Sequence, residues 1–510
     1  MTPPPLDPGD ALAGRRQKLA ALRDRGVDPY PPRARRTHAA AEVIASFATL
    51  ESAATPVAVA GRVTALRTHG KATFADVADA SGHVQVYFKQ DALGPAAYEV
   101  VGLLDLGDFI GVEGPVFKTR TGEITVQVAA VTVLAKGLRT PPVVKAEETA
   151  AGVVRHDEFA DPEKRYRKRY LDMLVNAEAR ERVLARARVA AAARRFMEGR
   201  GFVEIETPVL QPLYGGANAR PFTTRHRELG ADLYLRIADE LYLKRCLVAG
   251  MEKVFEIGKD FRNEGIDRIH YPEFTMLEAY EAYGDYETMM ALVEDLIVAV
   301  AKEVFGATTF TYQGKPLALA PPWPKLPMVP ALNDRLGFDA TTASDDDLRR
   351  TLEQLAAETG KTPDVKTPSR AKLLDELFDV AVVATLQGPT FVVNQPAELS
   401  PLAKRRRDDE RYAERFELFI GGMEIANAFT EQNDPAVQRA AFESQRQARA
   451  AGDEESHPVD EDFLEALEYG MPPAGGLGVG LDRLAMVLTD APNIREVIAF
   501  PQVRAKKPAP

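Results

Sequence analysis

The stretch Lys253-Val-Phe-Glu-Ile-Gly-Lys-Asp-Phe-Arg262-Asn-Glu264-Gly-Ile-Asp-Arg-Ile-His270-Tyr-Pro-Glu-Phe274-Thr-Met-Leu-Glu278-Ala-Tyr280 reads as two strands joined by a charged loop. Alternate residues of an extended segment share a face, so Arg262 goes with Glu264, and Phe274 with Glu278 and Tyr280. One sheet face is then expected to offer an arginine that clamps a phosphate, a ring that stacks a base and a carboxylate that holds a cation. A charged surface hairpin is the plainer reading of the same residues, and the surrounding chain has to decide between them.

With 510 residues the chain is expected to hold two or three domains, and 45% hydrophobic residues is ordinary for globular protein. No apolar run approaches the roughly 20 residues needed to span a bilayer. The start Met1-Thr-Pro-Pro-Pro-Leu-Asp lacks a basic-then-apolar signal, so a cytoplasmic location is expected. The single Cys246 makes no internal disulfide, has no Cys or His companion for zinc, and is read as a core residue. The net charge of -11 argues against a surface that is one large nucleic-acid footprint. Through Thr140, however, 16 Lys and Arg face 14 Asp and Glu, a balance of +2 that leaves -13 for the remainder.

Residues 1 to about 10 are proline-rich and expected to be disordered. Ala11 to Gly26 has the helical spacing of Leu12, Leu19 and Leu22, with Arg15, Arg16, Lys18, Arg23 and Arg25 elsewhere, giving a basic helical extension over 1–55. That basic face is either solvated or meets RNA phosphates. Six short strands follow: Val57–Leu66, Ala72–Val77, His83–Phe88, Asp108–Phe117, Ile124–Val128 and Val131–Leu134, separated by glycine turns. So many short strands within 56–140 suggest an OB-fold barrel, which binds single strands by stacking bases on aromatic rings. Phe74 and Gln85 fall on neighbouring strands, where one could stack a base and the other read its edge. Residues 141–175 read as a linker, whose basic run Asp161-Pro-Glu-Lys-Arg-Tyr-Arg-Lys-Arg-Tyr170 is either a hinge face or a crossing point for RNA.

A second domain is expected over 176–510. A helix from Glu178 to about Met197 leads to a strand Phe202–Glu206 and Thr207-Pro208; a further amphipathic helix spans Asp285 to about Val304. Gly306 to Ala340, with the only tryptophan, Trp323, reads as irregular. Helices at Asp345–Thr359 and Ser369–Thr385 suggest an insertion over about 330–386, and Gly388–Asn394 a strand. Glu417, Glu424 and Glu431 recur every seven residues around Gly421-Gly422, and carboxylates facing phosphates would hold magnesium, a hard ion that takes oxygen ligands. In a regular strand Glu424 faces away from Asn427, Phe429 and Glu431, so a bulge near Ala426 to Ala428 or a division of labour between faces is required. In Gly475-Gly-Leu-Gly478-Val-Gly480-Leu-Asp-Arg483 the glycines allow close backbone approach to a nucleotide, and Arg483 can pair with a phosphate.

Phe-Arg-Asn-Glu-Gly, then His and Pro-Glu-Phe-Thr, followed in order by the glycine run with Asp-Arg, resemble motifs 2 and 3 of the class II aminoacyl-tRNA synthetases; the helix, strand and Pro208 resemble motif 1. Gly215-Gly216-Ala217, Leu235-Arg-Ile-Ala-Asp-Glu240-Leu-Tyr-Leu-Lys244 and Gly-Gly-Met-Glu-Ile-Ala-Asn-Ala-Phe-Thr-Glu resemble the lysyl branch of bacterial type, from about Gly14 to Gln502. The resemblance implies an α+β chain: an OB-fold barrel that binds the anticodon, and an antiparallel sheet flanked by helices. It further implies a homodimer with Pro208 at its interface, and a reaction joining L-lysine to ATP as lysyl-adenylate before transfer to the 3' end of tRNA(Lys). Up to three Mg2+ ions would serve the ATP, with Glu417 and Glu424 as ligands. Arg262 and Arg483 would be the catalytic pair, Arg262 at the alpha-phosphate and Arg483 with His270 at the beta- and gamma-phosphates. Phe274 and Arg483 would sandwich adenine, with Glu264 near its amino group. Gly216, Glu240, Glu278, Tyr280, Asn427, Phe429 and Glu431 would form the lysine pocket, Glu240 taking the alpha-amino group. The barrel resembles the anticodon-binding domain of lysyl- and aspartyl-tRNA synthetases, which implies Arg62, Phe74, Gln85 and Glu123 at the anticodon.

The motif 2 loop departs from the pattern, with Ile269 in place of an arginine and Tyr271 in place of an asparagine. This permits an alternative, a catalytically altered RNA-binding or regulatory paralogue, which the intact arginines and glutamates oppose. An aspartyl- or asparaginyl-tRNA synthetase is the other alternative. So many acids suit a cationic substrate and repel aspartate.

Overall fold

In the computed structural model, residues 8–142, 145–149, 152–156, 159–361, 363, 369–450 and 458–503 are described. The chain divides into two compact units, 1–161 and 162–510.

The first unit opens with helix α1, Pro8–Asp24. Its start at Pro8 corrects the expectation of a disordered stretch reaching residue 10; residues 1–7 lie outside the described residues. Leu22 is fully buried among the barrel's valines. The basic face is neither all solvated nor all free for RNA. Arg15 is buried and donates to the Gly137 and Leu106 carbonyls, and Lys18 pairs with Asp105 at 2.7 Å. Strands β1 Val57–His69, β2 Ala72–Asp79, β3 Gly82–Lys89, β4 Phe109–Gly114, β5 Val116–Lys118, β6 Ile124–Gln127 and β7 Ala130–Ala135 form one sheet in the order β5-β6-β3-β2-β1-β4-β7. The single strand expected over Asp108–Phe117 is two, because Pro115 has no N–H to give a ladder. Part of the expected linker is a backbone hairpin, Lys145–Thr149 paired with Gly152–His156.

Residues 162–175, expected in the linker, form two short helices, Pro162–Arg167 and Arg169–Val175, that pack within the second unit. Part of their basic cluster is an anchor within this unit: Arg169 is buried, while Lys164 and Lys168 are exposed. Arg169 is 1% exposed and reaches Asp172 Oδ2 at 2.5 Å and the Glu496 carbonyl. Arg165 bonds Asp172 at 2.9 Å and Glu496 at 3.1 Å, and Tyr166 donates to Glu496 at 3.0 Å.

The second unit is built on strands β8 Val203–Glu204, β9 Lys253–Phe261, β10 Glu273–Ala282, β11 Lys325–Pro327, β12 Thr390–Val393, β13 Arg415–Ile420, β14 Met423–Thr430 and β15 Ala474–Gly480. Their order is β8-β9-β10-β15-β14-β13-β12-β11, antiparallel through the six inner strands and parallel at both edges. One face is covered by α2 Ala177–Gly199 and α4 Tyr286–Phe305; α3, Glu240–Val248, lies against β9 and β10. Helix α4 shows why it forms: Asp285 caps its start by accepting from Thr288 N, Gly306 ends it at φ +68°, and Met289, Val293, Leu296, Ile297 and Val300 make one buried stripe. The expected irregular stretch 306–340 instead holds a hairpin, Thr309–Tyr312 with Lys315–Ala318, then β11 and a helix Met328–Leu336. Trp323 is buried there, 5.6 Å from the Phe391 ring. Helices α5 Asp345–Thr359 and α6 Arg370–Ala381 build a separate apolar cluster from Leu348, Leu352, Leu373 and Leu377. Cys246 is half-buried beside the cluster of Leu243 and Phe463.

Replacing Arg169 by Ala removes the buried cation that pairs with Asp172 and donates to the Glu496 carbonyl, leaving Arg165 to serve both carboxylates. The expected loss is about 3 kcal/mol, read as a lowered urea midpoint.

Candidate active site

Sheet register explains how distant residues meet. Glu278 of β10 pairs across the sheet with Glu256 of β9 on one side and Gly478 of β15 on the other, Gly478 pairs with Asn427 of β14, and Asn427 with Glu417 of β13. The next row is Tyr280, Gly476, Phe429 and Arg415. Opposed residues share a face, so two walls of polar and aromatic side chains rise on either side of a strand that has only hydrogens there. A Cβ on Gly476 would overlap the Glu431 carboxylate and come within 2.6 Å of Tyr280 Cε1, so no side chain fits.

The parity problem on β14 is solved by a bulge, placed one residue earlier than expected. Leu418 pairs with Ala426 and Phe419 with Glu424, leaving Ile425 as the extra residue. Ile425 and Ala426 both turn into the core, at 1% and 2% exposure, and Glu424 regains the face of Asn427, Phe429 and Glu431. The β13–β14 turn is two residues long, with Gly421 at φ +63° and Gly422 at φ +72°, a left-handed pair that only glycine adopts freely.

The result is a cleft of about 350 Å³. Its lining includes Gly216, Glu240, Arg262, Glu264, His270, Phe274, Glu278, Tyr280, Glu417, Glu424, Asn427, Phe429, Glu431 and Arg483, so every expected nucleotide, amino-acid and metal residue lines one cavity. At one end, Glu240, Glu278 and Glu431 are buried together. Burial pushes all three above the usual carboxylate range, most strongly Glu278 and Glu431, where neighbouring carboxylates add to it. Between Glu240 and Glu431 lies the ammonium of Lys244, fully buried and paired with both. Burial opposes its charge, but the two carboxylates outweigh this and raise its pKa. Glu431 is thus paired with Lys244, whereas Glu417 is paired with Arg415. Tyr280 donates to Glu278 at 3.2 Å.

At the other end, the Arg262 guanidinium lies 5.0 Å from the Phe274 ring centroid, so the ring expected to stack a base carries a cation on one face. Arg483 donates to the Ile269 carbonyl at 3.2 Å and the Glu424 carbonyl at 2.8 Å, which ties β14 to the loop between β9 and β10. The departures in that loop are packed: Ile269 lies against the core, and buried Tyr271 accepts from Gln502 N at 2.6 Å. His270 Nδ1 is 2.8 Å from Asp267. Glu417 lies 2.6 Å from Arg415; burial, opposed by Arg415 and reinforced by Glu424 and Asp375, pushes its carboxyl up to about 8. That excess of negative charge suits a hard cation carried in with phosphates, which needs only one or two protein carboxylates. Among the described residues no three His, Cys, Asp or Glu side chains form a complete metal cage.

In the barrel, Phe74 and Gln85 share a face with Tyr87, whose ring stacks on Phe74 at 4.6 Å, and Phe117 extends the row 6.1 Å beyond. Gln85 accepts from Thr125 at 2.9 Å. Arg62 lies 4.2 Å over the Phe109 ring, and Glu123 is exposed in the β5–β6 turn. Tyr87 and Lys244 were not expected in these sites, although Tyr87 lies two residues after Gln85 on one strand and Lys244 one helical turn after Glu240. Pro208 is exposed, in a stretch with exposed Val203, Val209, Leu210 and Leu213.

Residues 161–504 match the family of class II tRNA synthetases (D, K and N), and residues 57–134 match the OB-fold nucleic acid binding domain. The chain is similar to the lysine–tRNA ligase of Moorella thermoacetica, 49% identical over 98% of each chain, and to that of Pelotomaculum thermopropionicum, 48% identical over 98% of this chain and 96% of the relative. The lysine–tRNA ligase of Bacillus subtilis is 45% identical over 98% of each. Among the described residues no helix is long and apolar enough to cross a membrane. A cleft built on motif 2, a glycine strand and a returning arginine, together with these matches over nearly the whole chain, makes the protein an aminoacyl-tRNA synthetase of the class II D, K and N family, with an OB-fold domain at its N-terminal side.

Proposed function

We propose that the chain is a lysine–tRNA ligase acting in the cytoplasm, and that the fourteen cleft residues named above carry its two steps. The observation that supports lysine is the charge of the closed end of the cleft. Glu240, Glu278 and Glu431 are buried with one internal ammonium, Lys244, which pairs with Glu240 and Glu431, and the two ammonium groups of L-lysine bring the balance of these side chains to zero. A neutral or acidic side chain leaves a buried carboxylate unpaired, which costs several kcal/mol.

In the first step an oxygen of the lysine carboxylate attacks the alpha-phosphorus of ATP, the bond to the bridging oxygen of the beta-phosphate breaks, and pyrophosphate leaves. Arg262 neutralises charge that builds on the alpha-phosphate, while Arg483 and His270 hold the outer phosphates, and Phe274 and Arg483 take adenine between them near Glu264. Glu417 and Glu424 would hold Mg2+, which supplies charge neutralisation to the phosphates when bound. In the second step a ribose hydroxyl at the 3' end of tRNA(Lys) attacks the lysyl carbonyl and AMP leaves. No side chain serves as nucleophile; the protein orients the reactants and stabilises charge. The exposed apolar residues around Pro208 suit burial against a second copy, as a homodimer; a molecular mass of one chain by sedimentation at micromolar concentration would count against it.

Exchange of pyrophosphate into ATP is expected with lysine alone. Exchange driven by aspartate or asparagine would select the other branches of the family, and none at all would select an RNA-binding paralogue. Arg262→Ala is expected to lower kcat/KM for exchange about 100-fold; full retention would refute its role. In the barrel, Phe74→Ala is expected to weaken charging of tRNA(Lys) about 10-fold, as loss of one stacked base should, with the loss confined to the tRNA-dependent step.

A further inference from the structure

Behind the cleft lie two carboxyl groups that the chemistry above leaves unused. Asp239 ends the turn into α3, and Asp260 is the penultimate residue of β9, opposite Phe274. Both residues are 0% exposed. Among the described residues none of their four carboxyl oxygens receives a hydrogen bond, and the two groups flank one guanidinium nitrogen, Nε of Arg236.

The surrounding charges come from five elements. From the segment after strand Ala231–Leu235, Arg236 brings Nε to 2.9 Å from Asp239 and 3.4 Å from Asp260. Its hydrogens go elsewhere, from Nε to the Lys259 carbonyl at 2.9 Å and from Nη1 to Glu256 at 2.7 Å and Thr207 at 3.1 Å. From β9 itself comes Glu256, which also accepts from Thr207. From the loop after β9 comes Arg262, and from β10 Glu278, whose carboxylate faces the backbone N–H of Asp239. From α3, Glu240 faces Glu278. Arg236 thus gives its hydrogens to Glu256, Thr207 and the Lys259 carbonyl, and the two aspartates are left beside its Nε without a donated hydrogen. Two buried carboxylates in contact cannot both ionise near neutral pH; they hold a proton between them.

We infer that Asp239 and Asp260 are a positioning pair that shares one proton, and that this bond pins the turn carrying Glu240 to the strand leading to Arg262. While the proton is held, Asp239 keeps its backbone N–H facing Glu278. When it leaves, two adjacent anions repel and the turn moves off Glu278, so amine binding suffers before chemistry does. Burial, reinforced by neighbouring carboxylates, pushes Asp260 up to about 7 and Asp239 up to about 9. In the unfolded chain both release their protons near 3.8. The folded state therefore binds more protons between these limits, and the stability the pair contributes is complete below pH of about 4 and lost as pH rises to about 9.

The test uses the full chain with Asp260→Asn and, separately, Asp239→Asn. Each amide N–H replaces the shared proton with one that cannot leave, at the same charge. Thermal unfolding is followed from pH 6.5 to 9.5, where each variant is expected to lose stability with a slope less than about half that of the unsubstituted chain. In lysine-dependent exchange, the KM for lysine of the unsubstituted chain is expected to rise between pH 7.5 and 9.5 by about 10-fold more than that of either variant, with kcat changing less. Titration of lysine itself is common to all three proteins and cancels. Asp260→Ala, which has no hydrogen to donate, is expected to raise KM at every pH. Equal pH slopes in all proteins, or parallel losses at every pH, overturn the inference and leave the pair a packing feature. The kinetic arm rests on the lysine reading of the cleft and the unfolding arm does not. No exchange with lysine but separated unfolding slopes refutes that reading and supports the pair.

Discussion

The site depends on a strand whose glycines leave one face without side chains. β15 runs between β10 and β14 at the centre of the sheet, and Gly476 and Gly478 put hydrogens where neighbouring strands put Tyr280, Glu278, Asn427 and Phe429. A central strand is ordinarily filled, because an empty row forfeits packing. Here the missing volume is the floor of the cleft, and the carboxylates and rings on both sides line it because antiparallel register places them opposite the glycines. Core packing on the reverse face, where Leu477 and Val479 are buried, holds the strand in place.

Charge in the cleft follows from that geometry. Burying three carboxylates against one lysine is unfavourable, and a dication held among them would recover the cost. Lys244 is the internal reference point: it holds Glu240 and Glu431 in position and leaves Glu278, bound by Tyr280, free to answer a second ammonium. Behind them, Asp239 and Asp260 belong to a layer that orients residues rather than touching substrate. The same low exposure that strengthens pairing in front makes an unpaired carboxyl behind it retain a proton.

Much of this was legible along the chain. The two strands around Arg262 and Phe274, the heptad of glutamates and the glycine run are local patterns, and local patterns follow from alternation, helical period and turn chemistry. The barrel strands were legible for the same reason, apart from the break at Pro115. Illegible were contacts made across the fold. Arg169 looked like part of a basic linker because its partner Glu496 lies more than 300 residues away. Trp323 looked irregular because its packing partner Phe391 comes from another strand. The Ile425 bulge could be required by parity but not located, since a bulge is set by which residue the neighbouring strand and core can accept.

Sequence alone determined which chemical groups exist and in what order: the arginines, the glutamates, the glycines, and the alternation that assigns each to a face. Those are properties of covalent spacing and short-range backbone geometry. Only the tertiary structure decided which groups are buried together, and so which are charged. Lys244 between two glutamates and Asp239 against Asp260 are consequences of low exposure and of strands brought side by side, and the protonation of such groups depends on neighbours in space that spacing along the chain does not specify.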